Sequence, residues 1–444
     1  MNLNPFELVN VFISIGLLSI LRHRRDSLSL MMALFVCGTF HYSFAVFALL
    51  SSDSSRLLTT MHNEGSGLLA SFSTLAVLIV AFGILGQRAY EAYSMGIGDK
   101  GKSRRVALFI IFVMVALLVG YLLNYRAGDR SQLINVMSVM AMLLLVMLAY
   151  LSLSGNLTLN FSWLGISLFV LGVIVAIAAY EVWSYQSWSW FQNSSGEVVY
   201  RASSVLFNPN LFGFWASFVY IASAYGMHAH WDRRRSLLLG MMLASCAVYL
   251  SGSRSSAALL LGVLVLSAAL TRGRRQWAPL VVLPATILIV YTVSALFDSN
   301  PHWRAITVLG ERFAEAPLHL ANYVLRFFDQ GVDVPPEVEI SIEGRFIGEG
   351  MDAGWLVLYQ DTGWVGQMAV FLVAALILAR AMYLCWARPG PASAYSLGLL
   401  LYCLLTGLVM RFQVFPVWLF TGLAFVIFLV RSRLAIRLPK ATGG

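Results

Sequence analysis

Arg254 sits in the run Ser251-Gly252-Ser253-Arg254-Ser255-Ser256, small residues that end an apolar stretch. A guanidinium left unpaired there costs a few kcal/mol, so a partner or an anionic ligand is expected. Arg201 precedes Asn208-Pro209-Asn210 and Gly213. Asn-Pro favours a helix start, and Asn208 and Asn210 can cap orphan N–H groups. Arg304, Arg312, Arg326 and Arg345 fall in one long polar segment. Within it Arg312, Glu315, His319, Asn322, Arg326 and Asp329 are spaced 3, 4, 3, 4 and 3, one face of a helix that Pro317 interrupts. Asp352 opens the stretch that runs to Gly363-x-x-Gly366, and Asp361 lies nine residues deeper.

These residue types suit one chemistry. Guanidinium presents a planar fork of donors that grips a phosphate in bidentate fashion, whereas ammonium acts as a point charge. A carboxylate at the mouth of an apolar span can take a proton from a hydroxyl or orient it. Plainer readings stand beside each. Arg254 can snorkel to the interface, the Arg312–Asp329 face can be merely solvated, and Asp361 can pair with Arg345 or another arginine as structural glue.

The elements that must hold these residues follow from composition. Of 444 residues, 59% are hydrophobic and only 11% charged, and the mean hydropathy is +0.77. Soluble domains carry about 25% charged residues. The apolar content spreads over the whole chain in runs of bilayer-crossing length, which excludes a secreted enzyme, a nucleic-acid factor and a single-anchor protein. Cys37, Cys246, Cys385 and Cys403 show no CxxC spacing, so neither a zinc site nor a disulfide framework is supported. No basic side chain precedes the first apolar run, which reads as a retained span.

The expected fold is an all-α polytopic membrane protein, a single integral membrane domain over 1–444 with about thirteen transmembrane helices (12–14). They are placed near 5–21, 28–50, 68–87, 106–123, 133–153, 163–183, 207–228, 237–250, 257–271, 277–296, 353–379, 393–410 and 417–430. Spans eight and nine are short, and the corner between them could be a tight hairpin. Two connecting segments, 184–206 and 297–350, are too long for simple connectors and are expected to carry function or form a cap. Basic residues orient the chain. Twenty of thirty fall in alternate loops, from Arg22/Arg24/Arg25 to Arg431/Arg433/Arg437/Lys440, and include every lysine. That side is cytoplasmic, which leaves the N-terminus outside, the C-terminus inside, and both long segments outside. Trp183, Trp188 and Trp190 suit sugar stacking or an interfacial aromatic belt equally.

Taken together, Ser251-Gly252-Ser253-Arg254 at a span end, Asn208-Pro209-Asn210 after an outer arginine, a large late outer loop, and the Asp352-to-Gly366 stretch resemble the O-antigen ligase and polymerase superfamily. The resemblance covers most of residues 190–370. Ligases of that superfamily typically carry His eleven residues before the first Gly of GxxG. Asp352 stands there in this chain, which looks like the Wzy-type polymerases. Arg201 to Gly213, with eleven intervening residues, approximates the R-x10-G pattern of polymerase loops.

The resemblance implies a GT-C-like glycosyltransferase of the Gram-negative inner membrane with two large periplasmic loops, the second partly helical. It implies a metal-independent reaction with no cofactor and no nucleic acid. The partners it implies are an undecaprenyl-diphosphate-linked oligosaccharide, membrane lipid and a chain-length regulator protein. On that reading Asp352, Arg254 and Arg312 are catalytic, while Arg201, Arg304, Arg326, Arg345, His319 and Asn210 bind diphosphate or glycan. A ligase that transfers glycan to lipid A–core or protein is the near alternative, and a polysaccharide or lipid transporter the more distant one.

Overall fold

The computed structural model describes residues 5–23, 27–40, 72–94, 100–125, 130–152, 164–183, 190–192, 198–206, 208–229, 233–270, 277–296, 354–387, 390–407 and 417–437. Among them are thirteen α-helices, one for each expected span. The first six are α1 (Pro5–His23), α2 (Ser27–Thr39), α3 (Phe72–Ser94), α4 (Lys100–Leu123), α5 (Arg130–Ser152) and α6 (Leu164–Trp183). Then come two three-residue strands, β1 (Trp190–Gln192) and β2 (Val198–Tyr200), paired antiparallel with Trp190 opposite Tyr200. A 3-10 turn (Ser204–Leu206) follows, then α7 (Pro209–Ala229), α8 (Arg234–Ser251), α9 (Arg254–Ala269) and α10 (Ala278–Leu296). The chain ends with α11 (Gly354–Ala387), α12 (Pro391–Thr406) and α13 (Val417–Arg437).

Among the described residues three helical stretches, Arg104–Leu123, Gln132–Ser152 and Val357–Ala387, are long and apolar enough to cross a membrane, and six further helices are apolar but shorter. Side-chain placement follows the same logic. Phe112, Phe169 and Leu288 point outward, 63%, 73% and 62% exposed, while Gln132, Ser217, Ser251 and Gln367 are fully buried. Water would favour the opposite arrangement. Long helices with apolar outsides and their peptide groups paired internally are consistent with a multi-pass membrane protein.

α7 is the centre. Phe212, Phe214, Trp215, Ala216, Ser217, Phe218, Tyr220 and Ile221 are all buried, so it is enclosed on every face. It packs most heavily on α8 and α12 and also touches α9. Aromatic rings fill the space between α2, α7, α12 and α13. Phe35 lies 5.4 Å from Phe420, Phe218 5.6 Å from Phe420, and Phe214 stacks on Tyr402 at 5.6 Å. Trp215 Nε1 donates to Thr39 Oγ1 at 2.9 Å, which gives this buried indole its partner.

One expected feature comes out differently, and one break was not foreseen. α8 and α9 do not fold back on each other as a hairpin. They meet only near their corner, and α9 leans on α12 and α7 instead. α11 is not one continuous helix, because Gly363 breaks it with φ 59° and ψ −166°. A side chain at that φ is strained, and a Cβ there would meet Asn124 Nδ2 at 2.5 Å. Glycine therefore lets α11 bend directly against the end of α4.

Gly120 on α4 faces the Thr362 carbonyl so closely that an added Cβ would overlap it. Gly120→Val is expected to destabilise the protein by about 1–3 kcal/mol, read as a lower melting midpoint in detergent. Gly172→Ala, at a site with nothing within 4 Å, should leave that midpoint in place.

Candidate functional site

The arginine and asparagines singled out near position 200 meet the Ser-Gly-Ser corner at one place, where α8 ends and α7 begins. A helix leaves its last four carbonyls without intrahelical partners. Here all four of α8 are answered. Ser251 Oγ donates to Val248 O at 2.7 Å, and Gly252 N to Tyr249 O at 3.0 Å. Ala202 N donates to Leu250 O at 2.9 Å, and Arg201 Nε to Ser251 O at 3.0 Å. The guanidinium thus sits at the negative end of the α8 dipole, where a cation is favoured. Gly252 turns the chain with φ 58°.

The start of α7 is equally complete. Asn208 Oδ1 accepts from Asn210 N at 2.8 Å and Leu211 N at 3.2 Å, and Asn208 O accepts from Phe212 N at 2.8 Å. Pro209 occupies the first helical position, where a missing N–H costs nothing. Asn208 is therefore a cap. Asn210 has a different role: its Oδ1 accepts from Arg201 Nη2 at 2.7 Å. Arg201 ties the end of α8 to the start of α7. Gly213, one turn further along, lets α7 press against the corner, since a Cβ there would meet Ser253 Cβ at 2.6 Å. Ser253 Oγ donates to Ser256 Oγ at 2.9 Å across the first turn of α9.

A second polar cluster lies where α4 ends, α5 begins and α11 breaks. Gln132 Nε2 donates to Asn124 O at 2.8 Å and to the Asp361 carbonyl at 2.9 Å. Asn135 Nδ2 donates to the Asp361 carboxylate at 2.9 Å. Asp361, buried, thus finds an amide on α5. Nearby, α11 is tied to the end of α12 by Trp355 N, which donates to Gly407 O at 3.3 Å.

Of the nine singled-out site residues, the structure brings Arg201 and Asn210 together beside the corner. It makes Arg254 the first residue of α9. Asp352, Arg304, Arg312, Arg326, Arg345 and His319 lie outside the described residues, as does the whole 297–353 stretch with its expected amphipathic helix. Of the aromatics, Trp183 closes α6 and Trp190 opens β1, while Trp188 is outside the described residues. Among the described residues no group of three or more His, Cys, Asp or Glu comes together as a metal site.

Sequence reasoning passed over Glu181. It is buried near the end of α6, and its Oε2 accepts from Ser203 N at 2.8 Å and Ser204 N at 3.1 Å. A lone acid two residues from the end of an apolar run was a signal, but an ordinary interfacial carboxylate leaves the same trace.

No family model, curated protein or solved structure matches the chain.

Removing the Asn208 side chain leaves two N–H groups of α7 without their acceptor. Asn208→Ala is expected to lower stability by about 1–2 kcal/mol, while Asn208→Asp keeps most of it. Thermal unfolding of both variants in the same detergent checks this.

Proposed function

We propose that this chain is a glycosyltransferase that joins oligosaccharide repeat units carried on undecaprenyl diphosphate, an O-antigen polymerase of the Gram-negative inner membrane. The observation that carries the reading is the corner itself. Arg201 is held between the Ser251 carbonyl and Asn210, and Arg254 begins α9 three residues beyond Ser251. Both stand at the end of the bundle from which the chain leaves α6 and α10 and to which it returns at α7 and α11. The segments 184–206 and 297–350 are attached at that end. In this reading all thirteen helices cross the membrane in a GT-C-like arrangement, that end is periplasmic, and the C-terminus is cytoplasmic.

The chemistry follows from the residue types. A sugar hydroxyl of one lipid-linked unit attacks the anomeric carbon of a second glycan. The new glycosidic C–O bond forms as the bond from that carbon to the diphosphate oxygen breaks. Undecaprenyl diphosphate leaves with the bonding electrons, and the hydroxyl proton passes to the Asp352 carboxylate and on to water. Guanidinium groups stabilise the charge that gathers on the leaving group, and a donor already held in place needs no reorganisation as that charge develops. Arg254 and Arg312 carry this task with Asp352. Arg201, Arg304, Arg326, Arg345, His319 and Asn210 bind the diphosphate and the glycan. A chain-length regulator would act as partner.

The test is a product ladder. Purified protein is incubated with the lipid-linked repeat unit alone, without lipid A–core, and the glycans are separated on a gel. Bands spaced by one repeat are expected. Transfer only after core is added would identify a ligase instead, and movement of glycolipid with no glycosidic product a transporter. In a protein that makes the ladder, Asp352→Asn should slow turnover about 100-fold, and Arg201→Lys should weaken it because ammonium lacks the fork. Undiminished turnover by folded Asp352→Asn removes that carboxylate from the mechanism.

A further inference from the structure

Residues 201–206 are not helical until the short turn at Ser204, yet Ala202, Ser203, Ser204, Val205 and Leu206 are all buried. Ser204 Oγ donates to Ile174 O at 2.8 Å. Ile174 lies nine residues before the end of α6, roughly 13 Å down the helix at 1.5 Å per residue. The chain therefore dips into the bundle after β2 and climbs back to start α7. Irregular backbone at such depth survives only where protein supplies its hydrogen bonds. Ala202 N finds one at the end of α8. Ser203 N and Ser204 N face the body of α6, whose carbonyls already serve their own helix and, at Ile174, the Ser204 hydroxyl.

One side chain answers both. Glu181 Oε2 takes the two consecutive N–H groups at 2.8 and 3.1 Å. Its other oxygen, Oε1, and the Ser203 hydroxyl are buried without a hydrogen-bond partner among the described residues. Ser204 holds φ 48°, a conformation disfavoured for a residue with a side chain, so something must retain it. Glu181 sits on α6 and Arg201 stands two residues before the N–H groups it grips.

We infer that Glu181 is a positioning residue that acts through the buried 203–204 turn to hold Arg201 against Ser251 and Asn210. Its task for diphosphate binding rests on the proposed function, whereas the anchoring itself does not. What the anchor needs is an acceptor oxygen at the right reach, not a charge. Glutamine keeps the reach and loses the charge. Aspartate keeps the charge and falls one methylene short.

The test uses the full-length protein with Ser203→Cys as a reporter, a near-isosteric thiol in place of the unbonded hydroxyl, and with the half-buried Cys246 and Cys385 replaced by alanine. Labelling by a membrane-impermeant maleimide is followed with Glu181, Glu181→Gln, Glu181→Asp and Glu181→Leu. Slow labelling is expected for Glu and Gln, and labelling about tenfold faster for Asp and Leu, as the turn loses its two hydrogen bonds to the side-chain acceptor. If Leu fails to fold, the Asp and Gln pair still decides. Fast labelling with Gln and slow with Asp would overturn the inference in favour of a charge effect, and equal rates in all folded variants would overturn it outright. In a protein that makes the ladder, Glu181→Asp should raise KM for the lipid-linked unit with kcat little changed, and Glu181→Gln should rescue it. A wild-type protein that makes no ladder defeats the proposed function, yet the labelling order still judges the anchor.

Discussion

Inside an apolar bundle, a peptide group that leaves helical geometry has no water to turn to. The organisation around α7 depends on that constraint. At one point three interruptions coincide: α8 stops, α9 starts after a glycine turn, and the chain returns from its dip to begin α7. Each frees donors or acceptors, which find partners close by. The carbonyls that α8 exposes serve Ala202 and Arg201, the N–H groups that the dip exposes serve Glu181, and those that α7 exposes serve Asn208. Satisfied buried networks of this kind fix one arrangement, since partial satisfaction is penalised in a low-dielectric surrounding.

Arg201 is the joint among these sets, because its guanidinium reaches both a helix C-terminus and the Asn210 side chain. The Asp361 network does the same for α4, α5 and α11, with Gln132 bonded to two carbonyls at once. Apolar packing binds the two regions into one body. α11 lies along α4 and touches α12, and α12 in turn packs on α7. The ring cluster of Phe35, Phe214, Phe218, Tyr402 and Phe420 fills the middle. Polar chemistry at the ends is thus carried on a framework that is apolar and closely packed between them.

How far the sequence foretold this depends on what each residue advertises locally. The helices were legible, because long apolar runs have few other ways to pair their peptide groups. The Ser251–Arg254 corner was legible too, since Gly and small polar residues in an apolar run mark a break, and Asn208-Pro209 marks a start. Glu181, Gln132 and Asn135 were not. A buried polar side chain on a helix looks like any other until its neighbour across the interface is known, and that neighbour lies 22 residues away for Ser203 and 229 away for Asp361. The break at Gly363 was hidden for a related reason. Its glycine is needed because Asn124 stands opposite, and nothing near position 363 announces Asn124.

The enclosure of α7 has a consequence for biogenesis. A nascent chain is made from the N-terminus onward, so α7 emerges while α8, α9, α12 and α13 are still unsynthesised. The faces it will bury against them must first find other cover. Its phenylalanines and tryptophan suit that interim well, whereas Ser217 acquires its bond to the Ser256 carbonyl only once α9 has arrived. The centre of the finished protein is therefore made midway along the chain and completed only after its last helix.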